Sequence, residues 1–259
     1  MFTEDGINAA LAGQALGHPL HWFDSIGSTN DGAKQLAAAG SPAGTLVVSA
    51  AQTAGRGRAG NHWLAPPGSA LTATVILRPA LAAAHTAHLA LLGGLAAQRA
   101  ITALTRVDVL LKWPNDVLLG DRKVCGVLAE SSFAGDRCEW VVLGFGVNVS
   151  AAPQLPAAAQ PATALAVESN TSVKRLQLLQ VLLAQLSALL PLLGSAALSS
   201  ACNAVLAWRN QRVEADGAVP AAGVLLGLAP DGALQLRTDA GQILTLHSGS
   251  LRRTGCGGH

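Results

Sequence analysis

The chain has 259 residues, half of them apolar, with 12% charged residues, 3% aromatic residues and a formal charge of +2 at pH 7. This length and apolar share predict a folded protein with one large core and a small appended domain. The small net charge, without lysines and arginines clustered along one predicted element, argues against a nucleic-acid-binding surface.

Neither the amino terminus nor the cysteines indicate export. Glu4 and Asp5 stand where a secretory signal is positively charged. The cysteines are Cys125, Cys138, Cys202 and Cys256. Their spacing is irregular, and a chain of this length folds without disulfides. The long apolar runs at 87–104 and 175–193 contain glutamine or arginine, which a bilayer core penalises, so we expect buried helices in a cytoplasmic protein.

The first hundred residues predict helices and strands in alternation. Ser28 and Thr29 are capping-type residues, and a helix-compatible run follows them. In chain order we expect a helix, two strands and a second helix at residues 30–39, 44–50, 71–77 and 85–105.

Three apolar, β-branched runs come next, at residues 106–113, 124–130 and 139–149. The stretches between them, 114–123 and 131–137, are turn-prone. Consecutive strands with short connections favour a mixed or antiparallel sheet with packed helices, an α+β fold, over a doubly wound parallel sheet.

The last third predicts a change of architecture near Trp208. Residues 150–172, rich in alanine and proline, predict a surface loop before a helix that begins near Lys174. After Trp208, short strands alternate with turn sequences, which is typical of a small β-barrel. We therefore divide the chain into a main domain at 1–207 and a barrel domain at 208–259.

Residues 55–60 read GRGRAG and place their glycines in the G-x-G-x-x-G spacing of a dinucleotide-binding loop. That loop needs a helix after it and an acidic residue about 20 positions on. Two prolines and a strand follow instead, and no Asp or Glu occurs between Asp31 and Asp108. The Walker A pattern also fails, so the stretch is either a plain mobile loop or part of a site defined by other motifs.

Those other motifs exist, in a fixed order. They are STN at 28–30, QTAGRGRAG at 52–60, KWPND at 112–116 and GFGVNV at 144–149. With Lys123 seven residues after KWPND, the set resembles the biotin protein ligases over most of residues 25–150. SLR at 250–252 is similar to the family's C-terminal barrel.

This resemblance implies a class II synthetase-like catalytic domain followed by a small SH3-like barrel. It also implies an activity: biotin and ATP, with Mg²⁺, give biotinyl-5'-adenylate and pyrophosphate, and biotin then passes to one lysine of a biotin carboxyl carrier domain of acetyl-CoA carboxylase. Only about 27 residues precede Ser28, too few for the winged helix of the family's repressors, so a monofunctional ligase is expected.

The first step brings two anions together, so fixed cations are expected at the site. Arginine forks suit bidentate contact with carboxylate or phosphate, and Arg56 and Arg58 are assigned to the loop contacts. By resemblance, Lys123 meets the reacting carboxylate of biotin and Lys112 a phosphate, although a solvated lysine is the alternative for Lys112. Asp116 completes the catalytic set, binding metal or orienting the incoming amine, with a plain turn as its alternative.

Two sets of binding residues follow from the resemblance. Those expected against biotin are Ser28, Thr29, Asn30, Gln52, Arg56, Gly57, Arg58, Lys123 and Gly126. Those expected against ATP or the adenylate are Arg58, Trp63, Lys112, Asn115 and Asn148. From the residues alone, a helix cap is favoured for STN, a core or docking position is favoured for Trp63, and a bulged strand end is the alternative for Asn148. Gly144 and Gly146 would let the nucleotide approach the backbone.

Two positions depart from the family pattern. Ala59 stands where another basic residue is common, which predicts weaker adenylate retention, and Ser248 stands where an acidic residue often contacts the catalytic domain.

The rival functions are a lipoate or octanoate ligase of the same fold and a non-catalytic biotin sensor. The histidines show no ligand-like grouping, so no protein-built metal site is expected. A homodimer is compatible with the sequence, and the loop at 55–60 is expected to order over bound ligands.

Overall fold

The computed structural model describes residues 2–156, 160–217 and 220–254, so Cys256 lies outside the described residues. The helices are α1 (Glu4–Leu11), α2 (Thr29–Ala38), α3 (Ala87–Thr105), α4 (Leu165–Glu168), α5 (Arg175–Leu189) and α6 (Ala196–Asn203). The strands are β1 (Leu20–Phe23), β2 (Leu46–Ser49), β3 (Ala70–Leu77), β4 (Val109–Lys112), β5 (Asp116–Leu119), β6 (Arg122–Ala134), β7 (Arg137–Asn148), β8 (Arg212–Asp216), β9 (Ala221–Leu228), β10 (Leu234–Arg237), β11 (Ile243–Leu246) and β12 (Ser250–Arg253).

These strands form two sheets. The larger has seven strands in the order β1-β2-β3-β7-β6-β5-β4, and the smaller has five in the order β11-β10-β9-β8-β12. β1 and β2 are parallel, whereas the other paired strands among the described residues are antiparallel. The predicted mixed sheet with packed helices is confirmed, and the five-stranded sheet agrees with the predicted small barrel.

Most predicted elements are present, but three predicted connections differ. Most of the turn-prone stretch 131–137 belongs to β6 and β7, and the surface loop expected at 150–172 contains α4 with the buried Leu165. The prediction that residues 114–123 form only a turn is wrong, because β5 lies within them and pairs with both β4 and β6. Val117 and Leu118 are fully buried, and an apolar strand between two neighbours stabilises the sheet by removing that surface from water. α1 and β1 lie in the first 27 residues, to which the sequence analysis assigned no element.

The two long apolar helices pack inside the fold. α3 and α5 are each long and apolar enough to span a membrane by length and composition alone. Thirteen residues of α3 are buried, and six leucines of α5 are buried. Their apolar surface is thus covered by protein, as the sequence analysis expects.

The two sheets share one hydrophobic core, and hydrogen bonds at the turn between β9 and β10 are among the contacts that join them. Val213 and Leu251 of the small sheet belong to the same hydrophobic cluster as α3 and the large sheet. At the turn between β9 and β10, the indole Nε1 of Trp113 donates to the Gly232 carbonyl at 3.2 Å. His88 Nε2 donates to the Pro230 carbonyl at 3.1 Å, since that oxygen can only accept. The division at 207/208 stays a prediction.

Candidate functional site

A cleft of about 530 Å³ opens beside the large sheet, with residues of the small sheet on its rim. The predicted site residues that line it are Ser28, Thr29, Asn30, Gln52, Arg56, Gly57, Arg58, Trp63, Asn115, Asp116, Lys123 and Gly126. Segments that are distant in the sequence therefore converge on one space: the start of α2, the loop after β2, and strands β5, β6 and β7. Lys112 and Asn148 are the predicted residues that do not line it.

Asp116 and Lys123 form the charged centre of the cleft. Lys123 Nζ lies 2.6 Å from Asp116 Oδ1. The pairing of β5 with β6 shifts register between Val117 and Leu118, which brings Lys123 opposite Leu118. Such a bulge redirects a side chain, and here it turns a strand residue toward the carboxylate two pairs away. Asp116 begins β5 rather than ending a simple turn, so the plain-turn alternative does not account for it.

Lys112 lies behind this pair. It is 6% exposed, its Nζ is 3.8 Å from Asp116 Oδ2, and it donates to Gln160 Oε1. Burial lowers the pKa of Lys112, and the charge of Asp116 opposes that shift. The solvated-lysine alternative is therefore wrong: one buried carboxylate, Asp116, stands between two lysines, and the three groups carry a net positive charge when all are ionised.

Arg58 connects the glycine-rich loop to both sheets. Its Nη1 donates to Asn115 Oδ1 at 3.5 Å and to the Gly249 carbonyl at 3.3 Å. Asn115 in turn donates through Nδ2 to the Val127 carbonyl at 2.8 Å. Burial lowers the pKa of Arg58, and the nearby Asp116 charge works in the opposite direction. Arg58 thus carries its charge among neutral hydrogen-bond acceptors.

The contact of Arg58 with Gly249 joins the small sheet to the rest of the cleft, although Ser248 stands where an acidic residue often makes that contact. The rim of the cleft includes Asp216, Ser248, Gly249 and Ser250 of the small sheet and its β11–β12 connection. Contact between the two parts of the chain is made here through a main-chain carbonyl, without an acidic side chain at position 248. The sequence pointed to this region through Ser248 and the SLR motif, but it gave no signal for Asp216 or Gly249.

Thr29 and Gln52 secure the start of α2. Ser28 is the N-cap residue, but among the described residues its side chain makes no capping hydrogen bond. Instead, Gln52 Oε1 accepts from the Thr29 backbone N–H at 2.7 Å and from Thr29 Oγ1 at 3.1 Å. The capping function expected of Ser28 is thus supplied by a residue from the loop after β2.

Asn30 is bound entirely by protein groups on the cleft floor. Its Nδ2 donates to the Leu128 carbonyl at 3.2 Å and to Glu130 Oε2 at 2.9 Å, and its Oδ1 accepts from Thr74 Oγ1 at 2.8 Å. A Cβ at Gly144 would lie 1.9 Å from Asn30 Oδ1, so the glycine makes room for this amide. The structure gives Gly144 this role in place of the predicted approach of a nucleotide.

Trp63 forms a wall of the cleft. A Cβ at Gly146 would lie 2.4 Å from its ring, so the ring packs directly on the β7 backbone. Its Nε1 is buried and has no hydrogen-bond partner within the described ranges. Asn148, further along β7, is 1% exposed and donates to the Thr163 carbonyl at 3.0 Å, while its Oδ1 lacks a partner in the part of the chain that is described. Unpaired buried polar atoms are costly, and of these two residues Trp63 lines the cleft.

Arg56 contacts two carboxylates that the sequence analysis did not select. Its Nη1 lies 2.6 Å from Asp31 Oδ1 and its Nη2 3.3 Å from Glu130 Oε1. Lys34 joins the same carboxylates at 2.8 and 3.0 Å. Desolvation raises the pKa of Asp31, but hydrogen bonds from Lys34 and Arg56 outweigh it, and the pKa lies below its usual value. The only sequence signal was that Asp31 is the last acid before a long acid-free stretch.

Comparison with known proteins gives consistent results. The model of the Biotin/lipoate A/B protein ligase family matches residues 22–148. A biotin--[acetyl-CoA-carboxylase] ligase of Paracoccus denitrificans is 35% identical over 224 residues, covering 83% of this chain and 92% of that protein. A biotin protein ligase from Aquifex aeolicus, solved with biotin and ATP, superposes with a TM-score of 0.79 at 28% identity, covering 92% of this chain and all of that one.

Longer relatives match only in part. A bifunctional ligase/repressor of Bacillus spizizenii is 37% identical over 148 residues, which is 57% of this chain and 46% of that protein. The match thus spans about half the length of that relative.

Proposed function

This chain belongs to the biotin protein ligases of the biotin/lipoate A/B protein ligase family, and we propose that it is a biotin--[acetyl-CoA-carboxylase] ligase. A carboxylate oxygen of biotin attacks the α-phosphorus of ATP, and pyrophosphate leaves. The amine of a carrier lysine then attacks the acyl carbon of the adenylate, AMP leaves, and the amine loses its proton. The carrier is a biotin carboxyl carrier domain of acetyl-CoA carboxylase.

The observation that carries this proposal is the Lys123–Asp116 pair, with Arg58 beside it in the same cleft and Lys112 buried behind it. Attack of one anion on another is opposed by their repulsion. Fixed cations in a partly water-excluded site lower that barrier because they need no reorganisation as charge develops. Lys123 is assigned to the biotin carboxylate, and Arg58 and Lys112 to the phosphate side.

Asp116 has a separate task in this proposal. It holds the ammonium groups of Lys112 and Lys123 and so fixes where both charges stand. In the transfer step, its carboxylate orients the incoming lysine amine. Each lysine is then positioned by an ion pair rather than by a flexible stem alone.

Mg²⁺ enters as the counter-ion of the ATP phosphates. Across the described ranges, no three His, Cys, Asp or Glu side chains are grouped so as to hold a metal ion. Mg²⁺ is usually held by one or two carboxylates together with substrate phosphates. Asp116, which also contacts Lys112 and Lys123, would be such a carboxylate here. When bound, the ion would neutralise phosphate charge beside the same cations.

The proposed location is the cytoplasm. The cysteines within the described part of the chain are unpaired and buried, as expected of a protein kept in a reducing compartment. A homodimer through a sheet edge stays a prediction, which sedimentation equilibrium can test.

The deciding experiment measures the mass of an apo carrier domain after incubation with the protein, Mg-ATP and one of three acids: biotin, lipoate or octanoate. We expect a mass gain with biotin, dependent on ATP and absent when the carrier lysine is replaced by arginine. A gain with lipoate or octanoate alone would assign the rival ligase activity. Tight biotin binding without any mass gain would assign the sensor function instead.

A further inference from the structure

We propose that Asp31 and Glu130 are positioning residues that hold Arg56, and through it the glycine-rich loop, against the cleft. The two arginines of GRGRAG then have different tasks: Arg58 provides the charge that faces the substrate anion, and Arg56 is the anchor of the loop. This inference rests on the proposed function, because the loop is expected to cover biotin and its adenylate.

Charge balance separates the two arginines. Arg56 faces Asp31 and Glu130, which also hold Lys34, so two cations meet two carboxylates and the cluster is neutral when all four are ionised. A neutral cluster attracts a substrate anion only weakly. Arg58 hydrogen-bonds to neutral groups, Asn115 and a main-chain carbonyl. The nearby Asp116 carboxylate is already shared by two lysines, so this group of three cations and one carboxylate keeps a positive charge that a ligand can balance.

The loop is built so that holding Arg56 holds its neighbours. Arg56 pairs with His62 as an isolated antiparallel bridge. The Gly57 N–H donates to the Asn61 carbonyl at 2.8 Å, and the Trp63 N–H to the Gly55 carbonyl at 2.9 Å. The segment 55–63 is therefore a small hairpin, and fixing one residue of it fixes Arg58 and Trp63, which line the cleft.

Glu130 connects this anchor to the floor of the cleft. The same carboxylate that meets Arg56 accepts from Asn30 Nδ2 at 2.9 Å. Asn30 is buried and is held in turn by Thr74. The chain of contacts runs from the floor through Glu130 to the loop, so the loop is placed relative to the substrate-facing surface. Networks of this kind hold geometry better than an isolated exposed ion pair does.

A charge swap tests the anchor directly. Arg56→Asp alone should raise the rate of biotinyl-adenylate release, measured by trapping with excess unlabelled ligand, by roughly tenfold. Adding Asp31→Arg should restore part of it, because the Arg56–Asp31 pair is rebuilt with its ends exchanged while the exchanged charges stand beside Lys34 and Glu130. If Arg56 instead touches the substrate anion, the double variant will release adenylate as fast as the single one, and the proposal fails.

Trypsin provides a readout that needs no activity. It cleaves after Arg56 and Arg58, so cleavage of the protein without added ligand reports how firmly the loop is held. Glu130→Gln and Asp31→Asn should each speed cleavage at 56–58 severalfold, and Asp31→Glu should largely restore resistance. The matched control is Asp239→Asn, which removes an exposed carboxylate paired with Arg212 on the small sheet and should leave loop cleavage unchanged.

The two proposals can fail separately. If the wild type forms no biotinyl-adenylate, the proposed function is wrong, and the trypsin comparison still tests the anchor. If adenylate forms but the Asp31 and Glu130 variants match wild type in both cleavage and release, the anchor is wrong. Thermal unfolding of each variant identifies any that is misfolded. In that case, loop cleavage and adenylate release are measured instead on Arg56→Lys, which keeps the charge but loses the guanidinium fork.

Discussion

Lys123 and Asp116 are joined at 2.6 Å across two neighbouring strands, and the register shift that brings them together lies between Val117 and Leu118. Lys123 therefore owes its position to a specific irregularity of β5 and β6. With regular pairing of the two strands, Lys123 would lie opposite a different residue of β5 and farther from the Asp116 carboxylate. The charge at the centre of the cleft is thus set by backbone pairing as well as by residue type.

Replacing Lys123 tests its assigned role. We expect Lys123→Ala to reduce biotin-dependent exchange of pyrophosphate into ATP by about 100-fold or more, the usual effect of removing a preorganised electrostatic contact. Lys174→Ala, at an exposed lysine before α5, is the control for loss of a positive charge. Normal exchange in the Lys123 variant would rule out its contact with the reacting carboxylate.

Gly144→Ala should damage the cleft floor. The added Cβ would stand 1.9 Å from Asn30 Oδ1 and 3.2 Å from Thr74 Oγ1, so the buried amide must move. Overpacking of this kind costs about 1–3 kcal/mol of unfolding free energy, and biotin affinity should fall with it. Gly27→Ala, where a Cβ meets nothing within 4 Å, is the matched control. Denaturant unfolding and equilibrium dialysis with biotin measure the two effects, and unchanged values would contradict the packing described.

The junction of the two sheets should weaken at mildly acidic pH through His88. Burial lowers the pKa of His88 below its usual 6.5, the hydrogen bond to Pro230 and the charge of Asp231 oppose this, and the neighbouring His85 adds to it. The neutral form is therefore favoured in the folded state. The stability it contributes is present above pH 6.5 and is lost as pH falls from about 6.5 through the lowered folded pKa.

The measurement is the unfolding free energy at pH 8 and pH 5.5, for wild type and for His88→Gln. Wild type should lose more stability than the variant between these two values, because glutamine has no proton to bind. Equal losses in both proteins would show that other groups carry the pH dependence.

The cysteines within the described residues should be inert in the native protein. Burial raises the pKa of the Cys125 and Cys202 thiols to about 12, and it also raises that of Cys138. A thiol-specific reagent at pH 8 acts on thiolate, so these three should react only after denaturation. Peptide mapping of the modified native protein identifies the sites, and rapid labelling of Cys125 would contradict its position inside β6.

The sequence predicted which residues lie at the site better than it predicted the contacts among them. The ordered motifs identified most of the residues that line the cleft, because each motif carries its own chemistry. The partners of Arg56 were out of reach, since Glu130 lies 74 positions away in the sequence and only the fold brings it beside Asp31. Gly144 was also misjudged, because nothing local shows that Asn30, rather than a nucleotide, occupies the space above it.

Secondary structure was likewise predicted correctly where local signals determine it and incorrectly where tertiary packing does. The helices at 30–39 and 85–105 followed from periodicity and capping residues, whereas β5 was hidden by Pro114 and Asn115, which favour turns. Those two residues do precede the strand, but the apolar residues after them are drawn between β4 and β6 by burial. Tertiary packing outweighed the local preference there.

Because Arg58 contacts the Gly249 carbonyl, we expect the sequence requirement at this contact to fall on residue 249 rather than on residue 248. A main-chain oxygen is present whatever the side chain, so residue 248 should tolerate broad substitution. Gly249 should not, because its φ is +140° and a Cβ would lie 2.3 Å from the Asp216 carbonyl oxygen. Saturation libraries at these two neighbouring positions, selected for biotin transfer, should therefore diverge: many residues survive at 248 and glycine alone at 249.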